Sequence, residues 1–324
     1  MIWEARKVDS ANLVPADYEE RKMKVAIAGA SGMIGSALSD YLRSKGHTVV
    51  ALKRNSQPSA QVFLGVDSDY PSEFDAVINF AGENIAGKRW TSEQKKLILS
   101  SRTTTTDYLA ECLKKTQGKP KVFINASAIG IYGNRGDEQL DENSSAGKGF
   151  LADTCTAWEA SAKKASRDGL RTVRLRIGVV LGKSGGALAK MLLPFQMGAG
   201  GILGSGKQYM SWISIHDAVR AIEFILENDQ LEGAVNMTAP NPVTNAQFTQ
   251  AMGKVLHRPA ILPAPSFALK LILGDMAQEM LLEGNRVLPK KLEKAGFKFQ
   301  YGDVESALAK EISGAGSGKT VQAM

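Results

Sequence analysis

The segment Ala28-Gly29-Ala30-Ser31-Gly32-Met33-Ile34-Gly35 sets three glycines in the spacing G-x-x-G-x-x-G, between an apolar run and an amphipathic one. That spacing suits a dinucleotide pyrophosphate. Gly29 permits a tight turn, Gly32 lets the backbone approach the phosphates, and Gly35 lets the next helix pack close. The amides around Ser31, Met33 and Ile34 then offer N–H groups and the positive end of a helix dipole to the anion. About 20 residues on, a site for NAD places a carboxylate against the ribose 2′-hydroxyl. This chain has Leu52-Lys53-Arg54-Asn55 there, without a carboxylate. A guanidinium stacks on adenine and pairs with a 2′-phosphate, so Arg54, helped by Lys53, points to NADP; the competing reading is a solvated charge at a strand end.

These residues need a scaffold, and the pattern supplies one. Lys24 to Ala30 reads as a buried strand, Met33 to Lys45 as an amphipathic helix, Thr48 to Arg54 as a strand and Ala76 to Gly82 as another. Residues 91 to 116 read as helix, Lys121 to Gly130 as strand, Asp153 to Arg167 as helix and Thr172 to Gly182 as strand. Short β-branched runs separated by longer helices predict an α/β, Rossmann-type, doubly wound parallel sheet over 23–182, to which later elements return. Ligands of such sheets lie across the carboxyl ends of the strands, which brings Phe80, Ala81 and Gly82 to the cofactor. Residues 183–312 read as a lid and a smaller, mostly helical, substrate-side lobe. Within them Gly198 to Gly206 reads as a loop that closes over a ligand. Residues 1–22 read as an N-terminal extension and 313–324 as a flexible tail.

Composition excludes several classes. The chain of 324 residues, 44% hydrophobic and 23% charged, matches an ordinary globular protein. No apolar stretch approaches the ~20 residues of a spanning helix, and no apolar leader opens the sequence. A cytoplasmic location follows, or an organellar stroma in a eukaryote. The net charge of +7 is scattered. Without a basic stripe or interleaved aromatics it suits a protein that binds a polyanionic cofactor better than a nucleic-acid partner. Cys112 and Cys155 fit neither a disulfide framework nor a metal site, and His47, His216 and His257 lie far apart, so no metal is expected. The segment Ser313 to Thr320 approximates a phosphate-binding loop, but it lacks the first glycine and a preceding strand.

With these motifs in place, the chain resembles the extended short-chain dehydrogenase/reductases, and within them the atypical "epimerase family protein" branch, subfamily 39U. The likeness runs from about Lys24 to Ile312. It is carried by Asn79-Phe80-Ala81-Gly82-Glu83-Asn84-Ile85, Arg89-Trp90, Ser101-Arg102, Ser127-Ala128-Ile129-Gly130-Ile131-Tyr132-Gly133, Trp158-Glu159 and Arg176 to Gly182. Met191 to Phe195, Ser211-Trp212-Ile213 and Leu281 to Gly284 complete it. The resemblance implies adenine-side contacts at Lys53 and Arg54, and later cofactor contacts at Phe80, Ala81, Arg102 and Val180. Arg102 admits an ordinary helix-surface ion pair as its alternative.

The usual mechanism of such enzymes needs a serine, a tyrosine and a lysine one helical turn beyond the tyrosine. The resemblance matches Ser127 to the serine and places the tyrosine about 25–30 residues later on the next helix. Cys155 and Glu159 stand there instead, and no tyrosine occurs between Gly133 and Gln208. Tyr18 to Lys22 and Tyr41 to Lys45 have the spacing but the wrong place in the chain, and Tyr132 reads as a pocket wall. Ser127 with Glu159 is then the candidate catalytic pair, with burial keeping the carboxyl protonated. A structural carboxylate paired with Lys163 is the alternative for Glu159. Cys155 reads as a small buried apolar residue rather than a nucleophile. Two functions follow. One is an oxidoreductase or epimerase-like enzyme on a small carbonyl or nucleotide-sugar-like substrate, able to pair as a homodimer. The other is a non-catalytic NADP(H)-dependent regulator, division-related by the family's occasional naming.

Overall fold

A computed structural model describes residues 22–54, 63–64 and 73–313, without the side chains at 53–54, 63–64 and 313. The tail after 313 and nearly all of the N-terminal extension lie outside the described residues. So does the side chain of Arg54. In chain order the elements begin with β1 (Lys24–Ala28), α1 (Met33–Ser44), β2 (Thr48–Arg54), β3 (Phe63–Leu64), β4 (Ala76–Asn79), α2 (Ser92–Lys115) and β5 (Val122–Ala128). After a 3-10 turn, Ile129–Tyr132, come β6 (Gln139–Leu140), α3 (Phe150–Lys163), β7 (Arg171–Ile177), β8 (Val179–Leu181) and α4 (Gly186–Gln196). Then follow β9 (Tyr209–Met210), β10 (Trp212–Ser214), α5 (Ile215–Glu227), β11 (Gly233–Met237), β12 (Val243–Thr244), α6 (Asn245–Leu256), α7 (Ser266–Leu273) and α8 (Asp275–Ala277). A π-helical turn, Gln278–Leu282, leads to β13 (Arg286–Val287), α9 (Lys290–Lys294) and α10 (Val304–Ser313).

The main sheet has the order β11-β7-β5-β4-β1-β2-β3. Its first six strands are parallel and β3 runs antiparallel to β2. Helices cover both faces, as the alternation of elements predicts for a doubly wound fold. One face is apolar throughout: Ile27, Ile78, Ile124, Val173, Leu175 and Val235 pack under Leu38 and Leu42 of α1 and Ile222 and Ile225 of α5. The other face is apolar only on one side. Ala26, Val77 and Phe123 meet Leu109 and Leu113 of α2. Alternation then places Asn125, Ser127, Arg174, Arg176 and Asn236 on this same face, and the parallel register sets Asn125 beside Arg174 and Ser127 beside Arg176. A buried sheet face carrying two arginines must find counter-charge inside the protein.

The strands end sooner than the apolar runs do. β1 stops at Ala28 because Gly29 takes φ +80°. The run read as one strand from Thr172 to Gly182 splits at Gly178, where a Cβ would lie 2.7 Å from the Ser211 carbonyl oxygen. β7 stays in the main sheet while β8 leaves it to pair with β10. The helical C-terminal lobe has its own core of Leu188, Leu192, Phe195, Trp212, Phe248 and Leu308.

The glycine-rich stretch from 198 to 206, read above as a closing loop, is packed instead. Its backbone bonds to the segment before α7, through Leu262 N–H to the Gly200 carbonyl and Ala264 N–H to that of Ile202. A Cβ at Gly201 would stand 1.7 Å from the Leu262 carbonyl oxygen, and one at Gly200 2.5 Å from the Phe195 ring. These glycines let backbones touch. Gly201→Ala is therefore expected to destabilise by about 1–3 kcal/mol, the usual cost of overpacking, measured as a lower urea midpoint at constant m. A hinge glycine on a free lid would tolerate the methyl.

Candidate functional site

At the carboxyl ends of β1, β2 and β4 lies a cleft of about 550 Å³, lined by Gly29, Ser31, Gly32, Phe80, Ala81 and Gly82 with Leu52 and Ser101. Gly29 crosses under the β4 turn, where a Cβ would come 2.9 Å from the Phe80 carbonyl carbon. Gly35 packs on the turn itself, with a Cβ only 2.3 Å from the Gly29 oxygen. Gly32 differs. It has an ordinary φ of −74°, and a Cβ there meets nothing closer than the Gly29 oxygen at 3.4 Å. The protein itself tolerates a side chain at Gly32, so its bareness keeps space on the cleft side. No side chain caps α1 and no acidic residue sits in its first turn. Its leading amides, with Met33 and Ile34, are thus left to an anion.

Buried amides aim the opposite wall. Asn79 donates from Nδ2 to Thr106 Oγ1 at 3.0 Å and to Asn125 Oδ1 at 2.7 Å, while its Oδ1 accepts from the Ala81 amide at 3.1 Å. Trp158 Nε1 donates to Thr106 Oγ1 at 2.9 Å. Arg102 is drawn into the same wall. Its Nη1 and Nη2 donate to the carbonyls of Ile98 (2.9 Å) and Glu83 (3.0 Å), and the guanidinium lies 5.1 Å from the Trp158 ring centroid. Burial lowers its pKa. Arg102 therefore braces the turn after β4, which is a different task from the surface ion pair weighed above. Val180 is 7% exposed in the main core. Met33 reaches the same region, against Gly182, Gly185 and Gly186.

Ser127 and Glu159 do come together, with Ser127 Oγ donating to Glu159 Oε1 at 2.9 Å. The same carboxyl group is also gripped from β7. Arg176 Nε donates to Oε1 at 2.8 Å and Nη2 to Oε2 at 3.1 Å, a two-point clamp. Arg174 Nε lies 3.2 Å from Oε2, though it is not aligned as a hydrogen bond. The residues are 2% and 5% exposed. Burial would weaken the hold of Arg176 on its proton, yet Glu159 and Tyr132 more than reverse this and raise its pKa. Glu159 is thus the buried counter-ion of the β7 arginines; its cationic partners come from β7 and not from Lys163.

One further reading changes, that of Tyr132, while Cys155 is buried as expected. Tyr132 is no pocket wall: it is fully buried, its hydroxyl accepts from Arg176 Nη1 at 2.8 Å and faces Asn236 Oδ1 at 2.7 Å and the Asp141 carbonyl at 2.9 Å. Cys155 is enclosed, and burial pushes its thiol up to about 11, so it stays protonated and inert. His47, Glu223 and Glu227 approach one another within 4.8 Å. The first two are engaged as in a packed helix contact, His47 Nδ1 by the Met23 amide and Glu223 by the Tyr41 hydroxyl.

Several residues that shape the site were given no role by the sequence reading. Asn285 Nδ2 donates to the Ile129 carbonyl at 2.9 Å and so fixes the turn after β5. Ser211 links the lobe to it, accepting from the Val287 amide and donating to the Asn285 carbonyl. Glu279 receives the Phe150 and Leu151 amides at 3.1 and 2.9 Å and so caps α3. Arg286 stands over the Tyr209 ring at 5.3 Å, with its Nε buried and without a hydrogen-bond partner. The alternation Thr172-x-Arg174-x-Arg176 inside an otherwise apolar strand was the available signal for the charge cluster.

A dinucleotide cleft built on this topology defines a class, and the sequence agrees. The profile of the NAD dependent epimerase/dehydratase family matches residues 25–237, and that of the domain of unknown function DUF1731 matches 264–311. The chain belongs to the NAD dependent epimerase/dehydratase family. An epimerase family protein of Mycobacterium bovis is 44% identical over 290 residues, 88% of this chain and 96% of that protein. The human epimerase family protein SDR39U1 (isoform 2), solved with NADPH, is 35% identical and superposes with a TM-score of 0.83 over 90% of this chain and 99% of that one. A nucleoside-diphosphate sugar epimerase from Corynebacterium glutamicum is 33% identical with a TM-score of 0.73, over 90% of this chain and 58% of that one. Among the described residues no helix is long and apolar enough to cross a membrane.

The charge cluster yields a test. Glu159→Gln leaves Arg176 buried, and Arg174 half-buried, without a counter-ion, and breaking such a buried pair costs about 3–5 kcal/mol. Chemical denaturation of the variant is expected to show a loss of that order. Stability within about 0.5 kcal/mol of the parent would free Glu159 for the acid–base role.

Proposed function

We propose that the chain is an NADP(H)-dependent oxidoreductase or epimerase-like enzyme, working in the cytoplasm or an organellar stroma on a small carbonyl or nucleotide-sugar-like substrate. One observation carries the cofactor reading: Gly32 is bare where only a ligand, and no part of the protein, needs the room. The uncapped α1 amides fit a pyrophosphate, and Arg54 with Lys53 fits a 2′-phosphate. The NADPH held by the human relative supports the same assignment. Bound there, the nicotinamide would give or take hydride.

The protein's own part is to bind, orient and exclude water. The Asn79–Asn125–Thr106 amide cluster holds the Phe80–Gly82 turn against the cofactor, and Asn285 holds the turn after β5 where a substrate would meet it. Arg286 is half-buried on Tyr209 and pairs with no carboxylate among the described residues. It supports a substrate carrying a phosphate or carboxylate. Since Glu159 is committed to Arg176, and Ser127 to Glu159, we assign this pair to positioning β5. The proton comes from water or from a group on the substrate itself. The same commitment favours, as a second reading, a regulator that binds NADP(H) without turnover.

NADPH and NADH titrations test the cofactor assignment. NADPH is expected to bind more tightly by about 10- to 150-fold, the worth of a charge-assisted contact of ~1.5–3 kcal/mol. Equal affinities, or a ratio unmoved by Arg54→Ala, would refute it. Gly32→Val should keep the parent's thermal midpoint and lose NADPH binding; retained affinity would show that the loop is only structural. Turnover of NADPH against a carbonyl panel separates enzyme from regulator.

A further inference from the structure

Far from the cofactor cleft, near the amino ends of β7 and β11, a second concavity of about 550 Å³ opens between α3, β7, β11 and α9. Three cations line it, Lys163, Arg174 and Lys291, together with the hydroxyl-bearing Thr172. Arg174 and Lys291 converge. A Cβ built on Gly233 would lie 3.6 Å from Arg174 Nη2 and 3.7 Å from Lys291 Nζ, so both reach one point that no side chain fills. Lys291 Nζ donates once, to the Glu232 carbonyl at 2.8 Å, which leaves it two further protons. Thr172 Oγ1 and Arg174 Nε are buried without a hydrogen-bond partner. Lys163 forms no ion pair among the described residues.

The charge does not balance within the protein. Arg174 and Arg176 share one carboxylate, that of Glu159. The buried cluster therefore carries an uncompensated positive charge before Lys163 and Lys291 are counted. Two carboxyls also border the space. Glu142 is committed, its Oε1 accepting the amides of Asn236 at 3.1 Å and Lys291 at 3.2 Å. Glu232 is exposed at the rim. Burial lowers the Lys291 pKa, against the pulls of Glu142 and Glu232 and with those of Arg174 and Arg176.

We propose that this pocket binds a phosphate dianion, free or as a small phosphomonoester, through Arg174, Lys291, Lys163 and the Thr172 hydroxyl. A planar guanidinium, two mobile ammonium groups and a hydroxyl suit the several oxygens of such a group. The site lies outside the family's cofactor cleft. It is coupled to that end of the sheet by residue contacts. Arg174 approaches Oε2 of Glu159, whose Oε1 holds Ser127 near the end of β5. A bound dianion competes with Glu159 for Arg174.

Inorganic phosphate titrated calorimetrically into NADPH-saturated protein, with ionic strength held by chloride, tests the proposal. Saturable binding is expected, weakened by at least about tenfold in Lys291→Gln, the loss of one charge-assisted hydrogen bond. Thr172→Val should weaken phosphate several-fold without lowering the thermal midpoint of the phosphate-free protein, because its hydroxyl has no partner to lose. Glycerol phosphate binding more tightly than inorganic phosphate assigns an organic ester; the reverse assigns free phosphate. The proposal is overturned if no saturable heat appears, or if both variants keep the parent affinity. It is also overturned if, without cofactor, Gly32→Val abolishes phosphate binding while Lys291→Gln does not, since the anion then belongs to the glycine loop.

Discussion

The ion pair between Arg176 and Glu159 is the constraint around which the rest of this half of the molecule is arranged. A guanidinium on an inner strand of a parallel sheet cannot reach water, so a carboxylate has to come to it. Helix α3 brings that carboxylate, and in doing so fixes its own rotation over β5 and β7. Trp158, the preceding residue, is thereby turned toward Thr106 and Arg102. The remaining protons of Arg176 reach Tyr132, and through it Asn236 on β11. One pair thus ties the helix, three strands and the turn after β5 into a single polar unit.

This arrangement gives a physical account of why the usual tyrosine and lysine are missing. Their positions on α3 hold Cys155 and Glu159, both turned inward. At the second of these positions the helix presents a carboxylate to Arg176. Several segments that carry the family resemblance, Trp158-Glu159, Arg176 and Ser211, are parts of the buried unit and of the clasp between lobe and sheet.

Much of the fold was legible because it rests on local signals. β2 has the limits its β-branched run suggests, and the glycine spacing placed the turn before α1 correctly. Strand ends were misjudged where a tertiary contact decides, as at Gly178 against Ser211. The site was legible where one residue acts through its own backbone, as Gly32 does. It was opaque where the role depends on a distant partner. Nothing near Glu159 in sequence names Arg176 as its mate. The stretch from 198 to 206 looked mobile because glycine serves both freedom and close approach, and only the neighbouring Leu262 backbone distinguishes the two.

The cap on α3 has a consequence for synthesis of the chain. The carboxylate that receives the first amides of this helix belongs to Glu279, 129 residues after Phe150. At ribosomal rates of about 5–20 residues per second, that separation is on the order of ten seconds. For that interval the helix bearing Glu159 has an unmet N-terminus, while β7 and β11, which follow it in the chain, join the sheet. The lobe is synthesised last, and its arrival completes the N-terminus of the helix that carries the charge pair.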